Sequence, residues 1–65
     1  MYQVIETSLS DRREIKASCW TLDAATKSAA SHAKLAAKGS VVEVVEGSYS
    51  HLAFENRGGK VVVAW

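Results

Sequence analysis

The chain contains no proline and a single cysteine, Cys19. Without proline, and with no low-complexity linker and no repeat of solenoid or propeller period, nothing divides residues 1–65 internally. With one cysteine no intramolecular disulfide can form. Two histidines and this cysteine, at spacings that match no zinc pattern, leave no metal site to expect. No apolar run approaches the ~18 residues that would cross a bilayer, so no membrane span is expected. Nor does Met1 to Thr7 show a positive stretch followed by an apolar block, and the expected location is cytoplasmic. Charge of one sign is also missing: eight Lys and Arg stand against seven Asp and Glu. A dedicated duplex-DNA binder usually carries a basic excess, and a nucleic-acid mimic an acidic one.

What is there is apolar and short. Hydrophobic residues make up 48% of the 65 positions, far too many for a disordered tail. This length suits one small domain spanning residues 1–65, and a chain so short buries only ~60% of its unfolded surface. Its stability must therefore come from tight packing or from a partner.

Tyr2 to Thr7 reads as a strand through Tyr2, Val4 and Ile5. The polar stretch from Ser8 to Arg13 reads as a loop. From Glu14 to Trp20, Ile15, Ala17 and Cys19 alternate with Glu14, Lys16 and Ser18, which predicts a second strand with Cys19 turned inward. Thr21 is a good helix N-cap, with Asp23 in the first turn where negative charge is favoured. The helix is expected to run from Leu22 to Lys38 and to stop at Gly39. At ~100° per residue Leu22, Ala25, Ala29, Ala33 and Ala36 share one stripe, flanked by Ala30 and Ala37. Alanine lets a helix approach a sheet closely but contributes little area, so the larger core side chains must come from strands. Trp20 is expected to fill the corner beside this stripe. Val41, Val42, Val44 and Val45 surround Glu43 in a β-branched run, and Gly47-Ser48 is a turn. Tyr49 to Glu55 follows with Leu52 and Phe54 on one face and Tyr49, His51 and Ala53 on the other. Asn56 to Gly59 supplies a tight turn before a last strand from Lys60 to Trp65. The fold class is therefore α+β, in the order ββαβββ: an antiparallel sheet of four to five strands with one alanine-rich helix on one face.

One helix covers one face of a sheet, and half-solvated strands alternate apolar with polar residues. The C-terminal strands carry valine at both parities. Either curvature and the N-terminal strands bury the excess, or the outer face meets a partner or a second copy of the chain, making a homodimer. Aromatic residues beside aliphatic ones compose the centre of an interface, which singles out Tyr49, His51, Val63 and Trp65 as partner-binding candidates on that face. Leu35 falls opposite the core stripe and is a candidate exposed anchor; the alternative is that the helix turns slightly and tucks it against the sheet edge. Lys27, Lys34 and Lys38 lie along one helix edge. With Arg12 and Arg13 they form a basic edge that would take an acidic partner surface or phosphate; the alternative is a solvated face with Asp23 paired to Lys27.

No nucleophile with a base beside it, no acid–base pair and no cofactor motif is present, so no enzyme and no cofactor are expected. Gly58-Gly59-Lys60 lacks the first glycine and the Ser or Thr of a phosphate loop. The expected function is that of a small non-enzymatic protein-binding module. Folded proteins of this size without chemistry are frequent in phage and plasmid genomes, where they inhibit or adapt host complexes, anti-CRISPR inhibition included. The alternative is a small nucleic-acid-binding or regulatory protein that uses the basic edge.

Overall fold

A computed structural model describes residues 1–65. The elements are β1 (Tyr2–Thr7), β2 (Arg13–Cys19), α1 (Leu22–Leu35), β3 (Val41–Glu46), β4 (Tyr49–Asn56) and β5 (Val61–Val63). The five strands form one antiparallel sheet in the order β2-β1-β3-β4-β5. The architecture is thus α+β, with α1 on one face. Because β1 lies between β2 and β3 and is antiparallel to both, β2 and β3 run in the same direction. The helix is the return connection between them.

Thr21 caps the helix: its backbone is extended and its Oγ1 accepts a hydrogen bond from the Ala24 N–H at 3.2 Å, satisfying one of the free donors of the first turn. Ala25, Ala29 and Ala33 are fully buried and seat α1 over Val4, Val42 and Val44 of the two central strands. Tyr2, Ala17, Cys19, Leu52, Phe54 and Val61 pack around this cluster. Every buried apolar residue is Ala, Val or Ile. A seam of methyl groups lets helix and sheet close with no space left for a large ring, and this explains one departure from the sequence reading. Trp20, expected at a core corner, is 81% exposed. Leu22, placed on the core stripe by periodicity, is at the margin of exposure for the same reason.

The helix is shorter than expected. Its C-cap is Ala36, with φ −73° and ψ 162°, rather than Gly39. The cause lies across the sheet in Asn56, whose side chain takes over the end of the helix: Nδ2 donates to the carbonyls of Ala33 at 2.9 Å and Ala36 at 3.2 Å. Helix ends leave carbonyls without partners, and the last turn stops where this amide can reach them. Gly39 serves the connection instead. Its φ of +88° is open to glycine at little cost, and a Cβ there would lie 2.7 Å from a Leu9 methyl.

Two irregularities redistribute side chains between the faces. Val4 faces Ala17 but Ile5 faces Ile15, so Lys16 is an extra residue in β2. Val44 faces Leu52 but Val45 faces Ser50, so His51 is extra in β4. Each bulge shifts the parity of what precedes it. Ile15 thereby leaves the face of Ala17 and Cys19 and stands on the outer side, 61% exposed. Tyr49 and His51 likewise leave the face of Ala53.

Candidate functional site

Every connection in this fold reverses direction, so the chain alternates between two ends of the molecule. Tyr2 faces Cys19, Gln3 faces Val45 and Glu46 faces Tyr49, which puts the start of β1, the β2–α1 turn and the Gly47-Ser48 turn at one end. Thr7 faces both Arg13 and Val41, and Val41 faces Glu55, which puts the Ser8–Arg12 loop, the helix C-terminus and the Arg57–Lys60 turn at the other.

The first end is aromatic. Trp20, Tyr49, Trp65 and Met1 are all exposed there, with Leu22 at the helix start. His51 lies between two tyrosines, its ring centroid 5.3 Å from that of Tyr2 and 4.7 Å from that of Tyr49, the latter edge-on. Its Nε2 is 3.0 Å from Glu46 Oε1. The bulge at His51 turns the imidazole toward Tyr2, and the contacts hold Tyr49 in place while leaving its other side to solvent. Trp65 comes to the same end from the opposite face. Beyond β5 the chain continues beside β4, with the Ala64 N–H donating to Ala53 O at 2.8 Å and the Ala53 N–H to Trp65 O at 3.0 Å.

From Trp65 a polar chain crosses the outer face. Trp65 Nε1 donates to Ser50 Oγ at 3.0 Å, Ser50 Oγ donates to Glu43 Oε2 at 2.8 Å, and Arg13 pairs with Glu43 Oε1 at 3.5 Å. These long side chains lie among the outer-face apolar residues, and Ile5, Val45 and Ala53 are buried there without a helix over them. The excess valine of the sequence is therefore largely covered by the chain's own side chains, and the outer face is not one open apolar patch.

The second end is basic. Arg12, Arg13, Lys34, Lys38, Arg57 and Lys60 gather there, six of the eight basic residues. Arg13 is paired with Glu43 and Arg57 with Glu55 at 3.4 Å; the other four enter no ion pair. Asn56, 4% exposed, fixes this end. Besides holding the helix carbonyls, it accepts from the Gly59 N–H through Oδ1 at 3.1 Å, and its own carbonyl accepts from the Gly39 N–H at 2.7 Å.

The sequence candidates are thus divided. Tyr49 and His51 meet at the aromatic end, and Trp65 joins that end from the outer face. Val63 pairs with Phe54, which packs toward the helix, so Val63 stands on the helix side of the edge strand and not with Trp65. The basic edge divides as well: Lys34, Lys38, Arg12 and Arg13 share the basic end, whereas Lys27 sits near the helix start, 3.2 Å from Asp23. Leu35 is 85% exposed at the helix C-terminus, beside the cations and far from the aromatic residues. Trp20, Met1, Asn56, Arg57 and Lys60 were not among the candidates. Grouping alternate connections of a ββαβββ chain would have brought out Arg57 and Lys60 beside Arg12 and Lys38; no local signal marks Asn56 as more than a turn residue. No pocket indents the surface, and no three His, Cys, Asp or Glu side chains gather as a metal site would require. No helix is long and apolar enough to cross a membrane. No protein-family model matches the chain, and no match to a curated protein or a solved structure was found.

Proposed function

We infer that the protein is a non-enzymatic binding module acting in the cytoplasm, which occupies a protein surface through its aromatic end. One observation carries this reading: four of the five aromatic residues lie at one end, while the core is closed with alanine and valine. Trp and Tyr are the side chains that most often dominate binding energy when an interface covers them. Here Trp20, Tyr49 and Trp65 are available for that role. Tyr49 is oriented by His51, and Trp65 by its bond to Ser50, so little rotamer freedom is lost when a partner covers them. Such a module works by occlusion or bridging, as an inhibitor or adaptor. Its small size and lack of reactive groups suit a phage or mobile-element protein that blocks a surface of a larger host complex, and an anti-CRISPR-like role belongs to this class.

The test is affinity capture from a lysate of the source organism with the wild-type chain beside a Trp20→Ser/Tyr49→Ser variant, compared by quantitative mass spectrometry. The module reading expects a defined protein enriched by the wild type and lost with the variant. Equal recovery on both baits would refute it. Sedimentation of the two proteins separates the remaining occupant of this end, a second copy of the chain: a wild-type dimer that becomes a monomer in the variant would make the module a homodimer.

A further inference from the structure

We propose that the opposite, basic end is a second binding surface that seats the phosphate backbone of a nucleic-acid duplex, independently of the aromatic end. The three connections there and the last helical turn bring Arg12, Lys34, Lys38 and Lys60 together without an ion-pair partner for any of them. Asp11 is the only acidic residue in those connections; of the carboxylates in the adjoining strand rows, Glu14 pairs with Lys16 and Glu55 with Arg57, and Glu6 alone is unpaired. A near-neutral chain that segregates its unpaired cations in this way has a local field that its net charge of +1 conceals.

The surface is also held in shape before any ligand arrives. The Leu9 side chain lies over Gly39, tying the loop that carries Arg12 to the connection that carries Lys38. The Gly39 N–H bonds to Asn56 O, and the Asn56 side chain ties the helix end to the turn that carries Lys60. The Lys38 stem runs over that same turn, with Cε 3.7 Å from where a Cβ on Gly58 would be. Four cations on a rigid frame cost less ordering entropy on binding than four on mobile loops.

The same end holds no exposed aromatic residue, Phe54 being packed against the core, so it offers no platform on which unpaired bases could stack. Single-strand binders depend on such stacking for ~1–3 kcal/mol per base. What remains is sequence-independent attraction to closely spaced phosphates. A duplex presents one charge per ~1.7 Å of axis, so the length spanned by the protein's shorter extents of 20 and 18 Å carries roughly a dozen phosphates, of which those turned toward the protein are enough for four contacts.

The experiment is fluorescence anisotropy of a labelled random-sequence DNA duplex, about 20 base pairs long, titrated with the full chain between about 25 and 200 mM KCl. Four phosphate contacts predict a slope of log K against log salt of about −3.6. Replacing Lys34, Lys38 and Lys60 together by Gln should lower affinity at least ~10-fold and reduce the slope to about −0.9, since one contact remains. Arg12→Gln, in an exposed loop, should remove about one contact and serves if the triple variant does not fold by circular dichroism. Lys27→Gln, and the Trp20→Ser/Tyr49→Ser variant, should leave both affinity and slope unchanged. The proposal is overturned by absence of binding at the lowest salt, or by tighter binding to a single strand of equal length. Binding to polyglutamate but not to the duplex would overturn it as well, because the end would then be a seat for an acidic protein. Loss of duplex binding in the Trp20→Ser/Tyr49→Ser variant would also count against it, since the two ends would not be separate surfaces.

Discussion

The two ends of this molecule are joined by the same five strands and one helix, yet they are built on opposite plans. At the aromatic end the large side chains stand outward and are steadied by neighbours: His51 between Tyr2 and Tyr49, and Trp65 on Ser50. At the basic end the exposed groups are flexible cations, and the rigidity comes from below, from one buried amide at Asn56. The contrast shows how a chain with a core of small residues can hold two surfaces apart. An alanine seam fixes helix to sheet, and because every connection reverses the chain, alternate connections collect at each end, with the exposed aromatic and basic side chains in and beside them.

The sharpest way to break the basic end alone is Asn56→Asp. The shape is kept and the Gly59 N–H can still bond to Oδ1, but a carboxylate oxygen replaces the amide donor and sets a buried charge against the helix carbonyl oxygens, at a cost of ~4 kcal/mol. Urea unfolding measures the loss. If the variant stays folded, hydrogen exchange should accelerate at Gly39 and Gly59 before it does at the N-cap. Ala29→Leu should cost ~2–3 kcal/mol by overpacking the seam, and since it lifts the helix as a whole it should loosen both ends together. Thr21→Ala should cost ~1 kcal/mol and fray the helix only at the aromatic end; amide exchange resolved along α1 checks this. Lys27→Gln breaks an exposed i,i+4 pair with Asp23, and the unfolding free energy from urea titration should change by no more than a few tenths of a kcal/mol.

Much of the framework is legible in local sequence. The first strand, the N-cap at Thr21 and the buried alanine stripe follow from patterns that need no knowledge of distant residues. The errors have two physical origins. One is the pair of bulges: an extra residue in a strand has no signature in Lys16 or His51 themselves, yet it reverses the parity that assigned Ile15, Tyr49 and His51 to faces. The other is action at a distance. Gly39 is a proper stop signal for a helix, but a side chain more than twenty positions away, on the far strand, ends the helix before Gly39 is reached. Trp20 stands apart from these two: a large ring beside an alanine stripe suggests a space to be filled, whereas small residues bring the surfaces together and leave the ring 81% exposed. The candidate surfaces were legible as residue types and not as places, since what sorts them is the direction of each strand.

The separation of the two ends is the central claim, and a crossed binding measurement tests it most directly. The wild type, the Trp20→Ser/Tyr49→Ser variant and the Lys34→Gln/Lys38→Gln/Lys60→Gln variant would each be assayed for the captured protein partner and for the labelled duplex. The expected result is a double dissociation: the first variant loses the protein and keeps the duplex, and the second keeps the protein and loses the duplex. Both ligands falling together in either folded variant would contradict it.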